Sequence, residues 1–171
     1  MTRIRSWCLL ALAPIMQLAM PLAHAADHCR AGEVAYFACQ TRAKKLISLC
    51  GVAAGKAPTA LHYRFGPPGK VELEYPSASA ADSLARFSYN EYTRAMTYYV
   101  DIGFANGGYR YALFKRYDGT ESPVTDYGVS VTAPDGRDTT IECVGKTMQR
   151  LPELAPVLHC DKEHAFGCPG G

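Results

Sequence analysis

The sequence predicts an all-β fold, an antiparallel β-sandwich or barrel of about 8–9 strands that disulfides stabilise. After residue 25 the chain runs in short alternating apolar and polar segments, which Gly, Pro, Asn and Asp separate. This pattern is typical of half-buried strands joined by tight turns. One dipeptide, at residues 106–107, and one tripeptide, at residues 134–136, indicate hairpin turns. Six cysteines follow a segment that is expected to direct export.

Residues 1–25 are interpreted as a secretory signal peptide. Arg3 and Arg5 give it a basic start, an apolar stretch covers residues 7–20, and small residues at 23–25 form a cleavage site. The apolar stretch is too short for a membrane anchor and contains a proline and a glutamine. The expected location is therefore periplasmic or secreted, with no membrane span after cleavage.

The remaining chain has room for one domain. We expect a single β domain at residues 26–145 and an irregular, Cys-containing C-terminal tail at 146–171. The whole chain has 18 Lys+Arg and 16 Asp+Glu, and Arg3 and Arg5 of the signal account for the difference. Balanced charge argues against nucleic acid or an anionic membrane as the main partner, because both usually require a basic stripe.

Six cysteines remain after the signal. Their even number in an exported chain predicts three disulfides. Three lie near the N-terminus and three near the C-terminus, so at least one bridge should join the first strands to the last. The pairing itself stays open. The candidates are Cys29, Cys39, Cys50, Cys143, Cys160 and Cys168.

The cysteines and histidines of the tail suit either a metal site or a disulfide. His159, Cys160, His164 and Cys168 have a spacing that suits zinc. An oxidising compartment favours a bridge between Cys160 and Cys168, or two longer bridges, over thiolate ligands. We therefore expect no metal and no cofactor, with the tail histidines exposed.

Nine strands and one short helical turn are expected. The helical turn is the Ala-rich segment Ala78–Leu84. The strands are Glu33–Gln40, Lys44–Gly51, Leu61–Phe65, Lys70–Tyr75, Arg86–Asn90, Arg94–Ala105, Gly108–Tyr117, Asp126–Ala133 and Arg137–Cys143.

A hairpin at residues 61–75 is predicted from two strands whose alternating apolar residues must lie on the same face of the sheet. The two sets lie on the same face only if the loop within Gly66–Gly69 has an odd number of residues, for instance residues 66–68. That register places His62 opposite Glu72 on the outer side. The two apolar sets are Leu61, Tyr63, Phe65 and Val71, Leu73, Tyr75.

The hairpin at residues 94–117 depends on Asn106-Gly107, which is a strong signal for a two-residue type I′ turn. Closing the hairpin there pairs Phe104 with Tyr109 on an apolar inner face. Tyr111 then faces inward as well.

The last hairpin has a three-residue loop at 134–136, where Pro and Asp suit a type I turn and Gly a left-handed position. This loop pairs Val131 with Thr139. Val129 then faces Ile141, so that both valines point inward.

No catalytic constellation is found, and we expect a protein that is not an enzyme. The sequence has no G-x-S-x-G nucleophile elbow, and the cysteines are expected to be oxidised. His62 is the one mature-chain histidine outside the terminal segments, and it lies opposite Glu72, a common surface pair. Glu72 and Glu74 beside Lys70 indicate the solvated face of a strand.

Tyrosine and arginine concentrate between residues 89 and 127. Both are enriched at binding hot spots, although core filling with the hydroxyls at the rim is an equally ordinary role for tyrosine. One alternative function is therefore a glycan or small-ligand-binding module on the outer face around Tyr99, Phe114, Arg110 and Arg116. Another is a structural secreted protein without a ligand.

The segment Gly107-Gly108-Tyr109-Arg110-Tyr111 resembles the S-G-x-x-Y region of bacterial periplasmic lysozyme inhibitors. Gly108 corresponds to the motif's glycine and Tyr111 to its tyrosine, while Gly107 replaces the serine. The resemblance implies a hairpin that enters the lysozyme cleft and contacts the catalytic carboxylates. The expected binding residues are Asn106, Gly107, Gly108, Arg110 and Tyr111.

A second, broader resemblance is to small secreted bacterial proteins that have no assigned function. It depends on the layout of Cys39, Cys50, the segment Tyr63-Arg64-Phe65-Gly66 and the same hairpin. The first expectation is thus an exported protein-binding domain, with a lysozyme-like hydrolase as its possible partner. The sequence leaves the oligomeric state open.

Overall fold

The computed structural model of the protein describes residues 26–55, 57–77 and 82–168. The predicted signal peptide and residues 78–81 of the predicted helical turn lie outside this part of the chain. The fold is all-β, as predicted, and consists of one antiparallel sheet of nine strands. Within the described ranges no helix has the length and apolar character needed to cross a membrane.

The sheet curls into a half-barrel. Its spatial order is β4-β3-β2-β1-β9-β8-β7-β6-β5. Two short 3-10 helices lie at Ser83–Arg86 and Leu151–Leu154. The strands are β1 (Glu33–Thr41), β2 (Leu46–Ala54), β3 (Ala57–Gly66), β4 (Leu73–Tyr75), β5 (Ser88–Arg94), β6 (Thr97–Asn106), β7 (Tyr109–Asp118), β8 (Val124–Thr132) and β9 (Asp138–Gln149).

The core lies inside the curl. Phe104 of β6 contacts Tyr63 of β3 at 5.0 Å between ring centroids and stacks on Tyr75 of β4 at 4.8 Å. These contacts join the two ends of the sheet across its interior. Leu151 and Leu154, from the chain after β9, are fully buried in the same cluster. The end of the chain therefore helps to fill the half-barrel.

The predicted hairpin at 134–136 is confirmed. Val131 pairs with Thr139 and Val129 with Ile141. Both valines belong to the interior, where Val129 has no exposed surface.

The β6–β7 hairpin forms, but its predicted register is wrong by two residues. Asn106 pairs with Tyr109 and Phe104 with Tyr111, so that Gly107-Gly108 is the turn. Both glycines have positive φ, 58° and 83°. A type I′ turn needs positive φ at both central residues, and two glycines meet this need without placing Asn106 there. An even shift leaves every side chain on its predicted face.

The β3–β4 hairpin keeps its predicted faces but not its predicted register. Arg64 pairs with Glu74, and a long loop follows Phe65, which pairs with Leu73. The two prolines of the loop lack the N–H that a ladder requires. The predicted pair of His62 and Glu72 is therefore wrong.

The outer face of β3 is covered, contrary to the expectation of a solvated surface. His62 is 5% exposed and Arg64 has no exposed surface. The segment before β1 lies over this face, where the backbone N–H of His28 donates to Ser48 Oγ at 3.0 Å. The disulfide between Cys29 and Cys50 fixes the segment to β2.

A buried guanidinium joins this segment to the sheet. Arg64 donates to both carboxylate oxygens of Glu33, at 2.5 and 2.8 Å. It also donates to Glu74 at 2.9 Å and to the carbonyl oxygen of His28 at 3.2 Å. Each nitrogen of the guanidinium therefore has a partner, as a buried charge requires.

We expect Glu33 to make unfolding pH-dependent. Burial alone raises the pKa of Glu33, but hydrogen bonds from Arg64 and the Arg30 N–H, together with the charge of Arg64, hold that pKa below its ordinary value of 4.5. Its contribution to stability is fully present above about pH 4.5 and is lost as the pH falls through the folded pKa. Urea unfolding between about pH 6 and pH 3 measures this effect. Glu33→Gln should flatten the pH dependence, and an unchanged slope would contradict the assignment.

The three predicted disulfides are present. They pair Cys29 with Cys50, Cys39 with Cys143, and Cys160 with Cys168. The bridge from Cys39 in β1 to Cys143 in β9 confirms the expected link between the first strands and the last. Strand β9 also continues six residues beyond its predicted end at Cys143, because its second half pairs with β1.

Candidate functional site

The tips of two hairpins lie side by side at one end of the sheet. Strand β7 pairs with β8, and this places Arg110 opposite Thr132. A Cβ atom placed on Gly108 lies 3.4 Å from Cγ of Pro134, so the two turns are in contact distance. We call this surface the double tip, defined as residues 106–110 and 133–137.

The double tip presents side chains that suit protein recognition. Tyr109 is 42% exposed, and Arg110 is exposed and makes no ion pair with any described residue. Arg137 is also exposed, and its Nε donates to Asp135 at 2.7 Å. A hollow of about 470 Å³ lies beside Tyr109 and Arg137. Exposed Tyr and Arg around a hollow are the residue types that dominate binding energy in protein interfaces.

Four of the five predicted binding residues meet at the double tip, and the fifth does not. Asn106, Gly107, Gly108 and Arg110 lie together at the surface. The ring of Tyr111 stacks on Phe104 with centroids 4.7 Å apart and planes 1° apart. Burial, followed by the neighbouring hydroxyl of Tyr109, raises the pKa of Tyr111. Its ring is therefore part of the core.

Tyr109 is a residue that sequence reasoning placed wrongly. It was expected to pair with Phe104 in the interior. The two-residue shift moves it opposite Asn106, beyond the end of the apolar face, and so into solvent. The Gly107-Gly108 pair beside it suits a type I′ turn as well as Asn106-Gly107 does, and a turn at this pair gives the observed register.

A larger concavity of about 900 Å³ lies on the outer face of β5–β8. Its floor is a row of cross-strand neighbours whose side chains are small or, at Gly103, absent. We call this concavity the trough. The floor residues are Ser88, Gly103, Ala112 and Ser130.

The C-terminal segment forms one wall of the trough. Asn90, only 1% exposed, donates to the carbonyl oxygens of Asp161 and Gly167, both at 2.8 Å. The disulfide between Cys160 and Cys168 closes this segment into a loop. A buried amide and a covalent bridge thus hold the wall in place.

The same segment covers part of the outer face on which the alternative prediction places a glycan site. Phe166 packs on Tyr99 with centroids 5.8 Å apart, and the guanidinium of Arg116 lies 5.1 Å from the ring of Phe166. His164 Nε2 is 3.2 Å from Oδ2 of Asp101. His164 is therefore half-buried rather than exposed, and the surface around Tyr99 is occupied.

The cysteine-containing clusters do not offer metal ligands. The sulfurs of Cys160 and Cys168 are bonded to each other, as expected. In the described part of the chain, Cys29, Glu33 and Cys50 lie close enough to surround an ion. However, that pair of cysteines is oxidised, and Arg64 binds the carboxylate of Glu33. Oxidised sulfur is not the thiolate that metals require.

The molecule is thus a disulfide-bonded antiparallel half-barrel with an exposed Tyr/Arg tip and, on its outer face, a trough that shares Arg110 with the tip. Comparison with protein-family models, with curated proteins and with solved structures finds no match.

Proposed function

We propose that this protein is an exported, non-enzymatic binding domain that inserts its double tip into an acidic cleft of a partner protein. A lysozyme-like cell-wall hydrolase is the concrete candidate. The observation that supports the proposal is the exposed pair Tyr109 and Arg110 at a narrow glycine turn, with Arg110 unpaired among the described residues. Three disulfides support an oxidising compartment, periplasmic or extracellular.

The mechanism is occlusion. A glycosidase cleft carries two carboxyl groups about 5–10 Å apart. Gly107 and Gly108 have no side chains, so the tip is narrow enough to enter such a cleft. Arg110 then donates charge-assisted hydrogen bonds to a carboxylate in a desolvated site, where these bonds are strong. Tyr109 and Arg137 add contact area at the rim.

Binding to lysozymes tests the proposal. The oxidised protein from residue 26 onward is titrated against chicken-type, goose-type and invertebrate-type lysozymes, and affinity and inhibition are measured. We expect sub-micromolar inhibition of at least one type. Arg110→Ala and Tyr109→Ala should each weaken binding about 30-fold, the effect of removing a hot-spot side chain.

The matched control is Arg94→Ala. Arg94 is an exposed arginine at the end of β5, at the opposite end of the sheet from the β6–β7 turn. The affinity of this variant should equal that of the unaltered protein. Tyr111→Phe, which keeps the stacked ring, should also bind normally because the tip and not the core makes the contact. If the protein binds none of the three lysozymes, the proposal is wrong. An equal loss of affinity in Arg94→Ala and Arg110→Ala would show that the double tip is not the surface that binds the lysozyme.

A further inference from the structure

We propose that the first half of β9 is a β-augmentation site, where an extended segment of a partner protein adds a strand to the sheet. Strand β9 pairs with β8 from Asp138 to Glu142. It pairs with β1 only from Cys143 onward, because β1 ends at Thr41. No described strand therefore lies on the other side of residues 138–142, which we call the open edge. This site uses the main chain of β9, so it goes beyond the binding of a partner at the double tip.

The main-chain groups of the open edge can be assigned from the hairpin. The N–H of Ala133 donates to the carbonyl oxygen of Arg137 at 2.8 Å. In an antiparallel pair, hydrogen-bonded residues alternate with residues whose main-chain groups point away from the partner strand. The odd-numbered residues of this half of β9 therefore bond to β8. The N–H and C=O groups of Asp138 and Thr140 point to the open edge, and both residues are exposed.

The hollow beside the double tip adjoins the open edge on the inner face of the sheet. It is lined by Thr139 as well as by Tyr109 and Val131. Thr139 is the cross-strand partner of Val131, which packs against the core, so both lie on the inner face. Side chains of an added strand alternate between the two faces. The side chain opposite Thr139 therefore points toward the hollow, where the ring of Tyr109 and the methyl groups of Val131 favour an apolar residue.

Charge selects the segment on the outer face. Asp138 is exposed and makes no ion pair with a described residue. An added strand places a side chain about 5 Å from Asp138. Arg110 lies in the opposite direction, two inter-strand spacings or about 10 Å away. A basic residue is therefore favoured opposite Asp138. At the other end of the edge, Glu142 adjoins Arg42, the residue after β1, so the charge of Glu142 selects less.

A second copy of this chain does not fit the open edge. Two-fold antiparallel pairing about Thr140 places Asp138 of each copy opposite Glu142 of the other, where like charges destabilise the pair. It also places the next residue, Arg137, at a position that Thr41 already occupies. The tip of each hairpin would run into the end of β1. The occupant is therefore an extended segment of another protein, about five residues long.

The probe for this site is the peptide acetyl-Lys-Val-Thr-Leu-Lys-amide. We expect it to run antiparallel to β9, which is the more stable pairing. Its third residue then faces Thr140, its leucine points toward the hollow, and its last residue faces Asp138. Calorimetry measures the affinity, and amide hydrogen exchange reports on the N–H of Thr140. Bound peptide should slow that exchange about 10-fold or more.

Methylated forms of the peptide separate main-chain pairing from other contacts. A methyl group on the third amide nitrogen removes the donor that faces Thr140, and it should weaken binding about 10-fold or more. A methyl group on the second amide nitrogen, which points to solvent, should leave the affinity unchanged. Equal effects of the two methyl groups, or no binding of the parent peptide, would overturn the proposal.

Charge reversal tests the position of the segment. The unaltered protein should bind the peptide that ends in lysine more tightly than the same peptide ending in glutamate. Asp138→Lys should reverse this preference. The matched control is Glu121→Lys, which changes an exposed acid in the loop between β7 and β8 and should keep the original preference. The same preference in Asp138→Lys as in the control would show that the segment does not lie on the open edge.

Thr140→Pro removes a central donor of the open edge without breaking a bond to β8. It should abolish peptide binding, and the methylated peptides still decide the matter if this variant does not fold. Lysozyme binding should be unchanged because Thr140 lies outside the double tip, which separates this proposal from that of the double tip. A dimer of the unaltered protein that dissociates in Thr140→Pro would overturn the proposal in favour of a second copy.

Discussion

Replacing both Cys39 and Cys143 with alanine is expected to lower the free energy of unfolding by about 4–5 kcal/mol. The bridge between them joins residues 104 apart in sequence and closes the longest loop of the three disulfides. The entropy that a bridge removes from the unfolded chain grows with the length of the loop. Domains of this kind have about 5–15 kcal/mol of stability in total, so the loss is a large part of it.

The measurement is guanidinium unfolding of the oxidised proteins without a reductant. The matched control is the double alanine variant at Cys160 and Cys168, whose bridge spans only eight residues. Chain entropy assigns that bridge about 2.6 kcal/mol. A loss for the first variant no larger than for the second would show that loop entropy is not the main contribution of the longer bridge.

Arg64→Ala is expected to lower the free energy of unfolding by about 3–5 kcal/mol. The guanidinium has no exposed surface, and the side chain of Glu33 is only 8% exposed. Removing the cation leaves a buried carboxylate without its partner, and the side chain of Glu74 loses a second hydrogen bond. The loss exceeds that of an ordinary surface pair because water cannot replace the missing donors.

Arg30→Ala provides the control, because Arg30 binds the same Glu74 at 2.9 Å but is 51% exposed. An exposed pair of this kind contributes less than about 1 kcal/mol. Urea unfolding at neutral pH compares the two variants. Adding Glu33→Gln to Arg64→Ala should recover part of the loss, since the uncompensated charge is removed. Similar losses for Arg30→Ala and Arg64→Ala would contradict a buried role for Arg64.

The faces of the strands could be predicted from the sequence, whereas their registers could be predicted only in part. A face depends on odd or even position alone, so a shift of two residues at Phe104 left the inner and outer sets unchanged. The register depends on the turn. Asn106-Gly107 and Gly107-Gly108 both suit a type I′ turn, and no local rule chose between them. Residues 134–136 offered only one good turn, and there the register was correct.

The candidate sites required knowledge of which segments cover the sheet. Alternation placed His62 on the outer face of β3, but it did not show that the segment around His28 lies over that face, where the His28 carbonyl oxygen accepts from Arg64. The trough could not be predicted from the sequence for the same reason. Its floor is a row across four strands, and its wall is a segment held by Asn90, more than 70 residues away in sequence. Such contacts follow from tertiary packing and not from local pattern.

The place of β1 and β9 in the sheet has a consequence for folding. Strands β1 to β4 each pair only with their neighbours in sequence, as do β5 to β9, and the two groups meet at the pairing of β1 with β9. Local hairpins form early because little loop entropy opposes them, whereas a contact between distant segments forms late. Each group should therefore assemble as a separate meander, and the seam between them should close last. Until it closes, both meanders present an unpaired edge, and this is the stage at which the chain is most exposed to aggregation.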